Sequence, residues 1–270
     1  MHFKFDFSAH QIIWTLTFAA QLVLLVVLLG RDRARRYPWF TAGIVLFAFQ
    51  LMAEVLLSGR MANFPLQATL LTLSDLATIV SLLVLVEVAR RAFAGMRISL
   101  WIVNTVGLLL VAGGVLYLKV WGPWPAMKDL VWNSTVGKLH LMQLLAQKGD
   151  LLVALLTVGL GALVVLFGRR FNAGWRSHTQ MIVIGLSMVA IALLALQGVV
   201  QSIVRTAQPH SRAEYERILD LLGKLVNSNK AVYLVALVWW IIWLWLDEPK
   251  AAEILPAETT PELAETKIDI

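Results

Sequence analysis

Long apolar stretches alternate with short polar segments along almost the whole chain. Seven of them have the length of a membrane span, at about residues 9–30, 38–58, 66–89, 98–118, 149–168, 177–203 and 230–246. A transmembrane α-helix needs about 20 mostly apolar residues, and a helix satisfies its own backbone hydrogen bonds inside the hydrocarbon layer. The pattern predicts an all-α, polytopic membrane bundle of seven transmembrane helices within residues 1–246.

Three short turns between these stretches are rich in arginine: Arg31–Arg36, Arg90–Arg97 and Arg169–Arg176. Short basic loops stay on the cytoplasmic side of the membrane during insertion. With seven spans, this rule places the N-terminus outside and the C-terminus inside (N-out/C-in), and it predicts a multi-pass protein of the cell membrane. The last two turns share the pattern RRxxAGxR, which indicates either a duplicated helical hairpin or the common preference of tight inside turns for Arg and Gly.

The composition agrees with a membrane location, since 59% of the residues are hydrophobic and 15% are charged. The net charge of +6 comes largely from arginines beside the spans, where membrane lipids are the expected partners and nucleic acid is not. The chain has no cysteine, and it contains no HxxxH or HExxH pattern and no histidine in the middle of a span. We therefore predict neither a metal nor a cofactor.

Two segments outside the spans affect the functional interpretation. Residues 247–270 are acidic and rich in Ala and Pro, which predicts a disordered cytoplasmic tail without an output domain. In the connection 204–229, Ser211 and Glu214 form a capping box ahead of an amphipathic pattern. We expect a separate helix there, which either rests on the outer membrane surface or covers the outer mouth of the bundle.

Polar side chains within spans are the places to look for chemistry, because they are costly in lipid and usually face the bundle interior. Most of them map to the outer halves of the spans, with Gln21 and Asn229 as possible neighbours. The candidate ligand-binding residues are Gln50, Glu54, Asp75, Gln197, Gln201, Arg205, Lys230 and Tyr233. They form either an outward-facing pocket or interhelical contacts that hold the bundle together, and the sequence leaves both interpretations open.

No catalytic motif accompanies these residues, so the leading functional hypothesis is a non-enzymatic protein of the sensor, receptor or accessory-subunit type. It would bind a small ligand at the outer face and act through a protein partner in the membrane. A transporter of small solutes or ions that uses Asp75 or Glu54 is the alternative, although a carrier needs polar groups near the midplane. The third hypothesis is a lipid-modifying membrane enzyme with the outer acids as general acid and base.

Overall fold

The computed structural model describes residues 9–57, 60–93, 111–115, 117, 135–168, 177–206 and 211–247, and the regular structure in these ranges is entirely helical. Six long helices are present: α1 Ala9–Gly30, α2 Pro38–Leu57, α3 Asn63–Ala92, α4 Thr135–Gly168, α5 His178–Thr206 and α6 Arg212–Trp245. Each of the six is long and apolar enough to cross a membrane. The chain is an all-helical integral membrane protein with several spans, as the hydropathy pattern predicts.

The remaining predicted span, 98–118, lies mostly outside the described residues, although 111–115 are helical. The same holds for the turn 169–176 and for the tail beyond Asp247, so the duplication and the disorder of the tail stay predictions.

The six helices form a closed bundle in which each helix packs on the next one, and α6 packs back against α1. One apolar cluster contains the C-terminal parts of α1, α3, α4 and α6 together with the N-terminal parts of α2 and α5. Its members include Leu28, Tyr37, Phe40, Val88, Val164, Ile182 and Leu244. We call this end of the bundle the Tyr37 end. Because α3 and α4 both finish there, α3 ends and α4 begins at opposite ends of the bundle.

Several buried polar groups at the Tyr37 end are paired, although Nε of Arg33 has no hydrogen-bond partner among the described residues. Glu87 of α3 accepts hydrogen bonds of 3.1 Å from the backbone N–H groups of Trp39 and Phe40, in the first turn of α2, where helical N–H groups lack partners within their own helix. The hydroxyl groups of Tyr37 and Thr179 share a hydrogen bond of 2.8 Å. These contacts attach the start of α2 to both α3 and α5.

Glycines allow three pairs of helices to approach closely. A methyl group built on Gly149 of α4 would lie 2.7 Å from Cγ2 of Thr78 in α3. Side chains added at Gly161 and Gly185 would overlap Ser187 and the Trp240 indole, respectively. Small residues at such positions are typical of helix contacts in membrane bundles.

The sequence analysis predicts a separate helix before the last span, whereas the structure has one helix, α6, in their place. Oγ of Ser211 accepts a hydrogen bond of 3.2 Å from the Glu214 N–H, which confirms the part of the predicted capping box that Ser211 contributes. The helix then continues through Lys230 to Trp245 as one unit of 34 residues, because no proline interrupts it. The expected surface helix and the last apolar stretch are therefore one helix, and Lys230 lies near its middle.

Helix α4 is likewise 34 residues long, so it starts well before the apolar stretch at 149–168. Its length of about 51 Å exceeds the hydrocarbon thickness of about 30 Å. Asp150 consequently lies near the middle of a helix and not at the edge of a span.

Candidate functional site

A cavity of about 430 Å³ lies inside the bundle, and all six long helices contribute to its wall. Its volume falls in the range of small-molecule sites, about 300–1,000 Å³. Toward the Tyr37 end, the cavity is bounded by Phe40 and Trp240, whose rings meet edge to face at 5.2 Å. From this floor it extends toward the other end of the bundle, as far as Trp14 and Glu54.

Helices α1 and α6 supply a polar wall, which we call the α1–α6 wall. It consists of Trp14, Thr17, Gln21, Asn229, Lys230 and Tyr233. The three α1 residues follow the i, i+3, i+7 spacing of one helical face. Nε2 of Gln21 donates a hydrogen bond of 3.1 Å to Oη of Tyr233, which joins the two helices.

Four buried polar atoms of this wall have no hydrogen-bond partner among the described residues: Trp14 Nε1, Thr17 Oγ1, Gln21 Oε1 and Asn229 Oδ1. Gln21 is completely buried and Thr17 is 6% exposed. Most buried polar groups in proteins are hydrogen-bonded, and leaving one unsatisfied costs about 1–3 kcal/mol. A concentration of such groups around one cavity is typical of a site that binds a polar molecule.

Helices α2 and α4 contribute acids to the cavity wall. Gln50 and Glu54 follow one another by one helical turn on α2, and Asp150 comes from α4. Oδ1 of Asp150 accepts a hydrogen bond of 2.8 Å from Oγ1 of Thr78. Asp75 of α3 lies near enough to Asp150 for their charges to interact.

The charged residues of the cavity are not joined to each other. In the part of the chain that the structure describes, no salt bridge involves Glu54, Asp150 or Lys230, although all three line the cavity. The ion pairs that are present connect other residues, such as Arg31 and Asp247 at 3.3 Å. The cavity therefore presents acids and a base as separate groups.

The structure brings together four of the eight residues proposed from sequence: Gln50, Glu54, Lys230 and Tyr233 line the cavity. Asp75 does not line the cavity, but it lies near Asp150, which does. The α5 stripe of Gln197, Gln201 and Arg205 lies further along the helix than Leu193, which is the last residue that α5 contributes to the lining.

The sequence analysis missed Trp14, Thr17 and Asp150. Trp14 and Thr17 share one face of α1 with Gln21, and this spacing could have identified them as candidate residues. Asp150 was not selected because the polar residues before it look like the end of a span. Residues 135–168 contain no proline, however, which is consistent with one continuous helix.

Within the described ranges, no group of three or more His, Cys, Asp or Glu side chains is placed to hold a metal ion.

Comparison with known proteins identifies no relative. No protein-family model matches this chain, no curated protein is similar to it, and no solved structure matches its fold. The fold and the site alone define its class, which is a multi-span helical membrane protein with a polar internal cavity.

Proposed function

We propose that this chain is a membrane sensor or receptor that binds a small organic ligand in the cavity between its six described helices. The observation that carries this proposal is the set of four unsatisfied polar atoms on the α1–α6 wall. A purely structural role would favour pairing of these atoms with each other or with neighbouring helices. Some interhelical bonds of that kind exist, such as Gln21–Tyr233, yet they leave the cavity lining unsatisfied.

The proposal includes seven spans, with the N-terminus outside. The return of the chain between α3 and α4 supports an additional crossing, and the apolar stretch 98–118 has the length for it. The arginines of the turn after α1, together with Arg90 and Arg91, belong to the Tyr37 end, which favours a cytoplasmic location for that end. The cavity extends away from it, so it would receive its ligand from the outer face.

Helix α6 offers a route from the cavity to the cytoplasmic end. It carries Lys230 and Tyr233 in the cavity, and Trp240 on the cavity floor. Just beyond its C-terminus, Asp247 forms ion pairs with Arg31 at 3.3 Å and Arg33 at 3.7 Å. A ligand that shifts α6 would alter these contacts, and a protein partner in the membrane would respond to the change.

The test is a structure of the purified protein in lipid nanodiscs. We expect density in the cavity in contact with Trp14 and Asn229, and we expect the Ala154→Phe variant, which fills the cavity, to lack it. Ala154 is buried and lines the cavity. A collapsed cavity in which Lys230 pairs directly with Glu54 or Asp150 would contradict a binding function.

Transport is a second candidate because Asp150 and Lys230 are ionisable groups on the wall of a cavity inside the bundle. Of the two acids first considered for coupling, Glu54 lines the cavity and Asp75 does not, and Asp150 is a further acid in the lining that could couple transport. A carrier would produce solute flux in liposomes that Asp150→Asn abolishes, whereas a sensor would produce none. The lipid-modifying enzyme has less support, since Glu54 and Asp75 do not share the cavity.

A further inference from the structure

We infer that the ligand is zwitterionic, with an ammonium group and an anionic group on a mainly apolar body the size of a large amino acid. This inference rests on the proposed binding function and names the chemistry that the cavity selects. It follows from the signs of the charges on the cavity wall, from the donor and acceptor character of the unsatisfied atoms, and from the apolar residues between them.

The cavity holds opposite charges on different helices. Lys230 belongs to the α1–α6 wall, while Glu54 and Asp150 come from α2 and α4. An ionised group inside a membrane bundle needs a counter-charge. A purely cationic ligand would leave Lys230 uncompensated, and a purely anionic ligand would leave both acids uncompensated. A ligand with both charges offers an anion to Lys230 and one ammonium group that the two acids share.

The hydrogen-bonding groups beside Lys230 fit an anion. Trp14 Nε1–H is a donor and cannot accept, so its partner has to be an acceptor on the ligand. The hydroxyl group of Thr17 and the ammonium group of Lys230 are further donors on the same wall. These three donors would bind a carboxylate or a phosphate, while the two unsatisfied acceptors of the same wall, Gln21 Oε1 and Asn229 Oδ1, would take hydrogen bonds from donors elsewhere on the ligand.

The acids on α2 and α4 fit an ammonium group. The carboxylates of Glu54 and Asp150 accept hydrogen bonds, and Asp150 is bonded to the neutral hydroxyl of Thr78, which leaves its charge uncompensated within the described residues. Between the two polar sides, the cavity is lined by Phe47, Leu186, Val189 and Leu193. These residues would contact the apolar body of the ligand.

Three probes with the same phenyl ring separate the charges: L-phenylalanine carries both, phenethylamine carries only the ammonium group, and 3-phenylpropionate carries only the carboxylate. Binding is measured by calorimetry on the full chain in nanodiscs of phosphatidylglycerol, which lacks an ammonium group. We expect phenylalanine to bind about tenfold more tightly than either single-charge probe, as loss of one charged hydrogen-bond partner implies.

Single substitutions assign each charge to its wall. Lys230→Gln should weaken phenylalanine and 3-phenylpropionate binding about tenfold and leave phenethylamine binding unchanged. Glu54→Gln should do the reverse, weakening phenylalanine and phenethylamine and sparing 3-phenylpropionate. Lys138→Gln is the matched control, because Lys138 is exposed on α4 and does not line the cavity.

The zwitterion has two possible sources, a free amino acid or the headgroup of phosphatidylethanolamine, and a second nanodisc series containing that lipid distinguishes them. A rise in melting temperature with phosphatidylethanolamine that Lys230→Gln abolishes, with no phenylalanine binding, would assign the same chemistry to a lipid.

Equal binding of all three probes would overturn the zwitterion and leave the binding function intact. No response to any probe or to the lipid would also overturn it, whereas the binding function fails only if the nanodisc structure lacks density in the cavity. The comparison of probes on the unmodified chain requires no variant to fold.

Discussion

At the scale of single residues, buried polar groups in this bundle occur in two different environments. At the Tyr37 end, Glu87 accepts two backbone hydrogen bonds, and the hydroxyl groups of Tyr37 and Thr179 bond to each other. Around the cavity, Thr17 and Trp14 carry polar atoms without a partner in the described chain. The first environment stabilises the fold, while the second resembles a binding site that is less stable without its ligand.

The threonines Thr17 and Thr179 provide a matched test of this difference, because both are buried and both can be replaced by the similarly shaped valine. In ligand-free protein, Thr17→Val should be neutral or stabilising by up to about 1 kcal/mol, since it removes an unsatisfied hydroxyl. Thr179→Val should destabilise by about 1 kcal/mol, because it removes the hydrogen bond between Thr179 and Tyr37. Reversible unfolding in detergent measures both changes. Equal destabilisation by the two substitutions would assign a structural role to Thr17.

At the scale of helices, close packing depends on glycines that hydropathy does not single out. Gly185 of α5 contacts the indole of Trp240, which forms the cavity floor with Phe40. Gly198, on the same helix, has nothing within 4 Å of a built Cβ atom. Only the first position therefore requires glycine for packing.

We expect Gly185→Ala to destabilise the bundle by about 1–3 kcal/mol, the usual cost of overpacking, and to disturb any ligand bound above Trp240. Gly198→Ala should instead be neutral or stabilising by up to about 1 kcal/mol, because alanine favours the helix. Tryptophan fluorescence during thermal unfolding compares the two variants. Similar stability of the two proteins would show that α5 can move away from Trp240 at little cost.

The sequence predicted the helices better than their ends or their mutual arrangement. Apolar runs of about 20 residues identified all six described helices, but the polar starts of α4 and α6 look like loops by hydropathy even though nothing stops the helix there. The stripe of Gln197 and Gln201 and the stripe of Trp14 and Thr17 have similar helical spacing. Only tertiary packing decides which stripe lines the cavity, and that depends on long-range contacts that periodicity does not contain.

At the scale of the whole molecule, the direction of the helices constrains how the chain crosses the membrane. Helices α3 and α4 both end at the Tyr37 end, together with α1 and α6. An even number of spans would put both chain termini on one side of the membrane. The proposed crossing between α3 and α4 would make the number odd, and the tail would then lie on the same side as the arginine-rich turns.

Labelling with a membrane-impermeant maleimide tests this arrangement, and the absence of native cysteine makes each introduced thiol unique. Ser8→Cys and Ser134→Cys should react in intact cells, whereas Ala94→Cys and Ala251→Cys should react only after permeabilisation. If Ser8→Cys and Ala251→Cys react under the same condition, the number of spans is even and the crossing at 98–118 is wrong. If all four positions respond with the opposite sidedness, the seven spans hold but the cavity faces the cytoplasm, and the proposed ligand would have to come from inside the cell.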